Sequence, residues 1–390
     1  MHSQLVSSEG VLPDTLPHVT AACSDRPVRV LLTSPLTSRP GGVARYLGVL
    51  QPHLGNDVQY FPIGSHRDGE GVGTSVMRVI RDSYRFGKTL REGDYDLVHL
   101  NPSIGSKALL RDGVLLLVAK ARGKRVVAFA HGWDEACVKV LLRHLSGLFR
   151  LVYGRADAFI VLGSEFKSRL RTLGYQGDVF IHGAPVEDKL FDYFERRPAR
   201  TFERSTGRKF NILFLARVEK EKGIYEALDA YQILKRQHTC VSLTVAGSGS
   251  QLDSAIEYAR ARQLTDVSFL GAVDGAGKYR TFGEADAYLF PSHSEGLPLS
   301  VLEAMASGLP VVTTAVGGLR DFFQDGRMGF MSESRDPDRL VSSLSQLICD
   351  SSLSSQISKF NYTYAREHFR AASIAAGLAG VYRFLLRSAH

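Results

Sequence analysis

The stretch AYLFPSHSEGLPLSVLEAMASGLPVVTT, residues 287 to 314, decides how this chain is read. AYLFPS (287–292) and PVVTT (310–314) are short apolar runs rich in aromatic and β-branched side chains, the pattern of buried strands. The segment between them has a glycine-proline turn and then helical character. Strand, loop, helix and strand in this order make a unit whose two strands lie parallel. Glu295 falls on the loop just ahead of the helix, and Glu303 falls inside the helix. Gly296 allows close backbone approach. Pro298 is expected as the first helical residue, because the N–H it lacks would be unpaired there. The amides of Leu297, Leu299 and Ser300 are left to donate at the helix start.

The same alternation extends in both directions. VRVLLTS (28–34), DLVHLN (96–101), RVVAFAH (125–131) and AFIVLG (158–163) precede residue 200, and FNILFLA (210–216), SLTVAG (242–247) and VSFLG (267–271) follow it. Continuous apolar strands interleaved with helices imply parallel sheets covered on both faces, hence two doubly wound α/β domains. The 390 residues suffice for two such domains, each with its own core. The expected divisions are a loose tail over 1–24, a first domain over 25–200, the polar linker ERRPARTFERSTGRK (195–209), and a second domain over 201–370.

Composition narrows the class. With 44% apolar and 23% charged residues the chain reads as a soluble globular protein. The best apolar run, Gly113 to Ala119, ends at Lys120, far short of a membrane span. The N-terminus lacks a basic start followed by an apolar core, so export is not expected. Cys23, Cys137, Cys240 and Cys349 form no CxxC pair and are expected as reduced, buried thiols of a cytoplasmic protein, with no metal bound through sulfur.

The net charge is +8, and residues 1–200 hold 27 Lys+Arg against 20 Asp+Glu, so the excess is N-terminal. It suggests an acidic partner such as a phosphorylated lipid or an anionic membrane surface, or else scattered solvated charge; no nucleic-acid partner is expected. TSVMRVIRDSYRFGKTLRE (74–92) puts Arg78, Arg81, Arg85 and Lys88 on one helical stripe and Val76, Val79, Ile80 and Phe86 on another arc. Either the apolar arc packs on the sheet beneath a solvated face, or the basic stripe meets lipid head groups. VKVLLRHLSGLFRLVYGR (138–155) is open to the same two readings.

Chemistry concentrates in the second half. FNILFLA runs into Arg217 and then Lys222, so two cations stand at a strand's carboxyl end, where open parallel sheets bind ligands. SLTVAGSGSQL places Gly247 and Gly249 before a helix able to receive a phosphate or to pack tightly, but Leu252 replaces the third glycine of a dinucleotide loop, which weighs against hydride transfer. Glu303 is placed to accept from the paired hydroxyls of a ribose, while Glu295 lies at the ligand edge; alternatively both are surface acids.

FPSHSEGLPLSVLEAMASGLPVVTTAVGG (290–318), RVEKEKG (217–223) and AGSG (246–249) together resemble glycosyltransferase family 4, retaining enzymes of the GT-B fold. The resemblance covers nearly all of residues 28–370 and implies two Rossmann-like doubly wound domains facing a central cleft. It implies that Arg217, Lys222 and the Leu299 amide grip the diphosphate of a nucleotide sugar, that Glu303 holds the ribose, and that the backbone around Gly271 and Val273 meets the base. Glu295 would face the transferred sugar, with the backbone of Gly296 and Leu297 against it. In TSPLTSRPGGVARYLGVL, Gly41 and Gly42 would approach the donor phosphates, and His131 matches the family's cleft histidine. The same resemblance implies that the last amphipathic helix, in residues 371–390, returns to the first domain.

Two departures bear on the acceptor side: IHGAPVED (181–188) stands where the family has Asn-Gly-Val-Asp, and Arg39-Pro40 stands in the loop before Arg45. Asp94-Tyr95-Asp96 leads directly into a strand and reads as a turn rather than a manganese site. The expected activity is therefore retaining transfer of a hexose-type sugar from a UDP- or GDP-linked donor, with no cofactor and no metal. The expected acceptor is a lipid-linked oligosaccharide of surface polysaccharide assembly, met in the cytoplasm or at the inner face of the cell membrane. An epimerase on the same architecture, or a non-catalytic scaffold binding nucleotide sugar or membrane, are the alternatives.

Overall fold

Two six-stranded sheets, each parallel throughout, organise the computed structural model, which describes residues 27–35, 41–64, 72–102, 106–196 and 208–387. The expected tail over 1–24, the Arg39-Pro40 pair and most of the 195–209 stretch lie outside the described residues. The chain forms two units: the described residues up to Pro185 join those from Ala371 onward in the first, and Val186–Arg370 make the second.

The first unit runs β1 (Val30–Pro35), α1 (Gly42–Leu50), β2 (Val58–Ile63), α2 (Val72–Glu92), β3 (Leu97–Leu100), α3 (Ser106–Ala121), β4 (Arg125–Ala130) and α4 (Glu135–Val140). A π-helical turn, Leu141–Leu145, leads into α5 (Ser146–Tyr153), followed by β5 (Ala158–Val161), α6 (Ser164–Thr172) and β6 (Asp178–Ile181). The second unit contains α7 (Asp188–Glu195), β7 (Phe210–Leu215), α8 (Ile224–Gln237), β8 (Val241–Ala246), α9 (Leu252–Ala261), β9 (Val267–Gly271), α10 (Gly275–Glu284) and β10 (Ala287–Phe290). It continues with α11 (Leu299–Ala306), β11 (Val311–Thr314), α12 (Leu319–Phe322), β12 (Gly329–Ser332), α13 (Pro337–Cys349) and α14 (Ser351–His368). The last helix, α15 (Ala371–Arg387), belongs to the first unit.

The sheet orders are β2-β1-β3-β4-β5-β6 and β12-β11-β10-β7-β8-β9. Each reverses direction once, between β1 and β3 in the first sheet and between β7 and β10 in the second, which is the doubly wound pattern. The interior strands β3, β4, β5, β10 and β11 are buried almost end to end, as continuous apolar runs require when helices cover both faces. β2, β6 and β12, which the sequence reading does not contain, are all edge strands. An edge tolerates exposed residues and even Pro62, so these strands lack the apolar signature of the centre.

Four local expectations change. Val186 bridges Arg370, and Leu190 and Phe191 of α7 are buried in the second unit, so that unit begins ahead of the polar 195–209 stretch. Pro298 is extended and caps α11 instead of forming its first residue; its carbonyl accepts from the Val301 amide at 3.1 Å. The described thiols are not buried: Cys240 and Cys349 are exposed and Cys137 is half-buried, while Cys23 lies outside the described residues. On α2 only Phe86 of the expected arc is fully buried, whereas Val76 and Ile80 are exposed.

α15 is fastened by Tyr382, whose hydroxyl lies 2.6 Å from Nδ1 of buried His99, and by Phe384 against Phe180 at 5.4 Å. In the second unit α14 places Asn361, fully buried, so that its amide donates to both Leu309 and Met328 carbonyls at 2.8 Å. Those carbonyls precede β11 and β12, so one side chain ties the helix to two strands. Asn361→Ala takes the Asn361 donor from the Leu309 carbonyl and leaves the Met328 carbonyl with the Val311 amide at 3.3 Å, and is expected to cost about 1 to 3 kcal/mol, read as a lowered denaturant midpoint at unchanged slope.

Candidate functional site

In the second unit the loops that follow β7 and β10 leave the sheet side by side, at the one place where its strand order reverses. Ligands of open α/β sheets bind at such a point, beyond the strands' carboxyl ends. The two loops are stitched together: the His293 amide donates to the Glu221 carbonyl at 2.8 Å, and Gly223, at φ +79°, packs where a Cβ would meet the Pro291 carbonyl oxygen at 2.1 Å. Any other residue at Gly223 would push the loops apart. Gly247 and Gly249 serve the same purpose and not phosphate approach alone, since a Cβ on them would collide with the Ala216 and Val218 carbonyls at 1.8 and 2.3 Å. Behind Glu295, Gly317 closes on the Gly296 carbonyl, which accepts from the Gly318 amide at 2.8 Å.

On this frame Lys222 Nζ donates to Glu295 Oε1 at 2.6 Å, with both side chains largely covered. Ser292 Oγ lies 2.9 Å from the same oxygen. Arg217 is exposed at the end of β7. Its charge helps hold the Glu219 carboxyl below its ordinary value, after the hydrogen bonds from the Ser250 hydroxyl and amide, which also anchor the loop to the start of α9. Leu299 and Ser300 open α11 and are half-buried, with Gly296 and Leu297 just ahead of them.

Glu303 is buried on α11, not a surface helical acid. Its Oε1 accepts from Lys278 Nζ of α10 at 3.1 Å, and the same ammonium reaches Glu187 Oε1 at 3.2 Å. Tyr279 donates its hydroxyl to the other oxygen of Glu187 at 2.7 Å. One lysine therefore sits between two carboxylates, buried together with Glu303, where charges must be paired to be tolerated, while Glu187 keeps some contact with water. Tyr288 of β10 lies near both Glu295 and Glu303; burial drives its hydroxyl far up from the ordinary range, so it is a neutral donor, here to the Leu215 carbonyl at 2.9 Å. Gly271 takes φ +67° at the end of β9 and accepts from the Gly247 amide at 2.6 Å, with Val273 half-buried two residues on.

In the first unit His131 follows β4. Asn101, at the end of β3, donates its amide nitrogen to the Thr33 carbonyl at 2.7 Å, which turns Oδ1 toward His131 Nε2 at 2.7 Å. An amide oxygen only accepts, so Nε2 carries the proton and Nδ1 keeps the lone pair. The ring stacks on Phe129 at 3.8 Å and meets the edge of Tyr46 at 4.8 Å. Burial, and then the neighbouring His99 and His182, hold its pKa well below the ordinary value, so it is neutral near pH 7. Trp133 follows, stacked on Phe166 at 5.7 Å. Gly41 and Gly42 are exposed at the start of α1, with Gly41 as its cap. Asp94 and Asp96 are held by the Arg29 side chain and amide, both at 2.9 Å, at the turn into β3.

In the second unit Lys222 and Glu295 are paired and Glu303 is buried nearby on α11. Lys278, Glu187, Ser292, Tyr288 and, in the first unit, Asn101 join the picture without a signal in the sequence reading. A lysine inside GAGKYRTF is unremarkable in a linear reading; only the buried carboxylate opposite it gives it meaning.

Residues 195–364 match the family described as glycosyl transferases group 1. A glycogen synthase of Mycobacterium tuberculosis is 33% identical over 172 residues, which are 44% of this chain and 42% of that protein. A putative colanic acid biosynthesis glycosyltransferase, WcaL, of Salmonella typhimurium is 27% identical over 267 residues, covering 65% of this chain and 61% of the relative. The chain thus spans between two fifths and three fifths of the curated relatives it matches first. Anabaena Alr3699/HepE, solved in complex with UDP, superposes with a TM-score of 0.69 over 92% of this chain and 100% of that chain at 15% identity. The two-domain α/β architecture is that of GT-B glycosyltransferases.

Burial sets a pH dependence in the first unit. It lowers His182 to about 4 and His99 to about 3, so below pH 6.5 the unfolded chain takes up protons that the folded chain refuses. Stability present above pH 6.5 is lost as the pH falls toward 4, by up to about 3 kcal/mol for His182 alone. Denaturation of His182→Asn across that range should show a shallower pH slope than the unaltered protein.

Proposed function

We propose that the chain is a retaining glycosyltransferase, working without a metal, that moves a hexose-type sugar from a UDP- or GDP-linked donor to a hydroxyl acceptor. The acceptor is a lipid-linked oligosaccharide of surface polysaccharide assembly, met in the cytoplasm at the membrane's inner face. The observation that carries the reading is the gathering of Arg217, Lys222, Glu295 and the start of α11 at the switch point between β7 and β10. Relatives in colanic acid, amylovoran and capsular polysaccharide biosynthesis support the product class, and a fold shared with a UDP-binding protein supports the donor class.

In this reading the diphosphate competes with Glu295 for the Lys222 ammonium and draws Arg217 in from solvent. Negative charge on the diphosphate grows as the sugar leaves, so the two cations and the Leu299 amide act more strongly on the transition state than on the bound donor. Glu295, partly released, faces the sugar beside the Gly296-Leu297 backbone. Glu303 accepts from the ribose with a carboxylate whose place Lys278 fixes. Gly271 and Val273 border the base. His131 offers Nδ1 to a sugar hydroxyl, and Gly41-Gly42 approach the phosphates from the first unit.

A melting-temperature screen with UDP, GDP, ADP and their sugars tests the donor. UDP or GDP is expected to raise the transition, by about 2.7 kcal/mol of stability at a hundredfold excess over Kd. Lys222→Ala is expected to lower transfer roughly 30-fold to 1,000-fold at an unchanged fold. No response to any nucleotide would remove the donor reading, and turnover of the nucleotide sugar without acceptor would favour an epimerase.

A further inference from the structure

Of the thirteen large apolar side chains standing exposed among the described residues, twelve lie on α2, α3 and the segment from α4 to α5. On α2 they are Val76, Met77, Ile80 and Tyr84, one stripe along the helix, with Tyr84 71% exposed. On α3 they are Leu110, Val114 and Leu117, at the spacing of a single helical face. The α4–α5 segment adds Leu142, Leu145, Leu148 and Leu151 among others, and its π-helical turn lies in the middle of them.

These helices are neighbours. Arg122 of the turn after α3 donates to the Gly87 carbonyl of α2 at 2.6 Å, and Tyr153 of α5 donates to the Leu109 carbonyl of α3 at 2.7 Å. Between α3 and the α4–α5 segment runs a groove of about 490 Å³ whose walls include Leu110, Val114, Leu117, Leu145 and Leu148. Asp134 and Cys137 are its few polar linings, and they follow His131 closely in the chain.

Charge decides what covers this face. Within α2, α3 and the α4–α5 segment the acids are Asp82 and Asp112, both buried, at 3% and 0% exposure, and Glu92 and Glu135 at helix ends, with Asp134 exposed just ahead of α4. Arg81, Arg85, Lys139, Arg143 and Arg150 stand exposed among the apolar side chains. A second copy would set these cations against their own kind. A nucleic acid would leave the leucines wet. A bilayer with anionic head groups meets both demands, taking apolar side chains into its boundary and basic ones at its surface.

We infer that this face of the first unit docks on an anionic lipid bilayer and that the groove between α3 and α4–α5 takes up a lipid hydrocarbon chain. The inference deepens the lipid-linked acceptor reading above and rests on it for its purpose, while its test reads lipid binding alone. No helix among the described residues is long and apolar enough to cross a membrane, so the contact is one of surface seating.

Co-sedimentation with phosphatidylglycerol and phosphatidylcholine vesicles, at low and high salt, tests it on the whole chain. Binding to phosphatidylglycerol is expected, about tenfold weaker to phosphatidylcholine and weakened by salt. Leu110→Asp and Leu148→Asp, on separate helices and both exposed, should each reduce binding about tenfold while leaving the nucleotide-induced melting shift intact. Three results would overturn the inference: no binding to phosphatidylglycerol at low salt, binding indifferent to both substitutions, or a dimer in sedimentation velocity that Leu148→Asp dissociates. A melting shift without lipid binding sinks this inference alone; lipid binding without a melting shift sinks the donor reading alone.

Discussion

Backbone packed directly on backbone, with no side chain between, is the constraint on which the second unit's ligand edge depends. Gly223 against Pro291, Gly247 against Ala216, Gly249 against Val218 and Gly317 against Gly296 draw four loops to within van der Waals contact beyond the strands' ends. With those loops fixed, Lys222 and Glu295 have little choice of partner, and their 2.6 Å contact follows from the frame. The charged groups are set by the uncharged ones.

Electrostatics then divides the edge into two kinds of place. Lys278 and Glu303 sit in the interior, with half-buried Glu187 as the lysine's second partner, a triad that positions α10, α11 and the segment ahead of α7 relative to one another. Breaking one member would strand an unpaired charge out of water, so this triad reads as structure that also orients Glu303. Arg217 stands in solvent and Lys222 is largely covered against Glu295, so the two cations of the loop after β7 differ in how readily they change partners. In the first unit the corresponding order comes from neutral rings: Asn101 fixes the tautomer of His131, and Phe129 and Tyr46 fix its plane.

How much of this was legible in the sequence follows from burial. Interior strands announce themselves because both faces are apolar, and β-loop-α junctions carry their glycines and charges in a recognisable order, so Arg217, Lys222, Glu295 and Glu303 stand out as candidates, with their roles left to the family resemblance. The edge strands β2, β6 and β12 could not, since half-exposed residues carry no continuous apolar run. Pairings were equally hidden: Lys278 meets Glu303 through tertiary folding across 25 residues, and no local pattern encodes that choice. On α2 the sequence shows that Val76 and Ile80 share an apolar side; it does not say whether core or some other apolar phase covers them.

The C-terminal helix gives the molecule a particular history. Because α15 completes the first unit around His99 and Phe180, that unit is interrupted by the whole of Val186–Arg370. On the ribosome the inserted unit is made without a break, while the unit begun earlier waits for its final helix. The part of the protein synthesised second is therefore positioned to finish folding first.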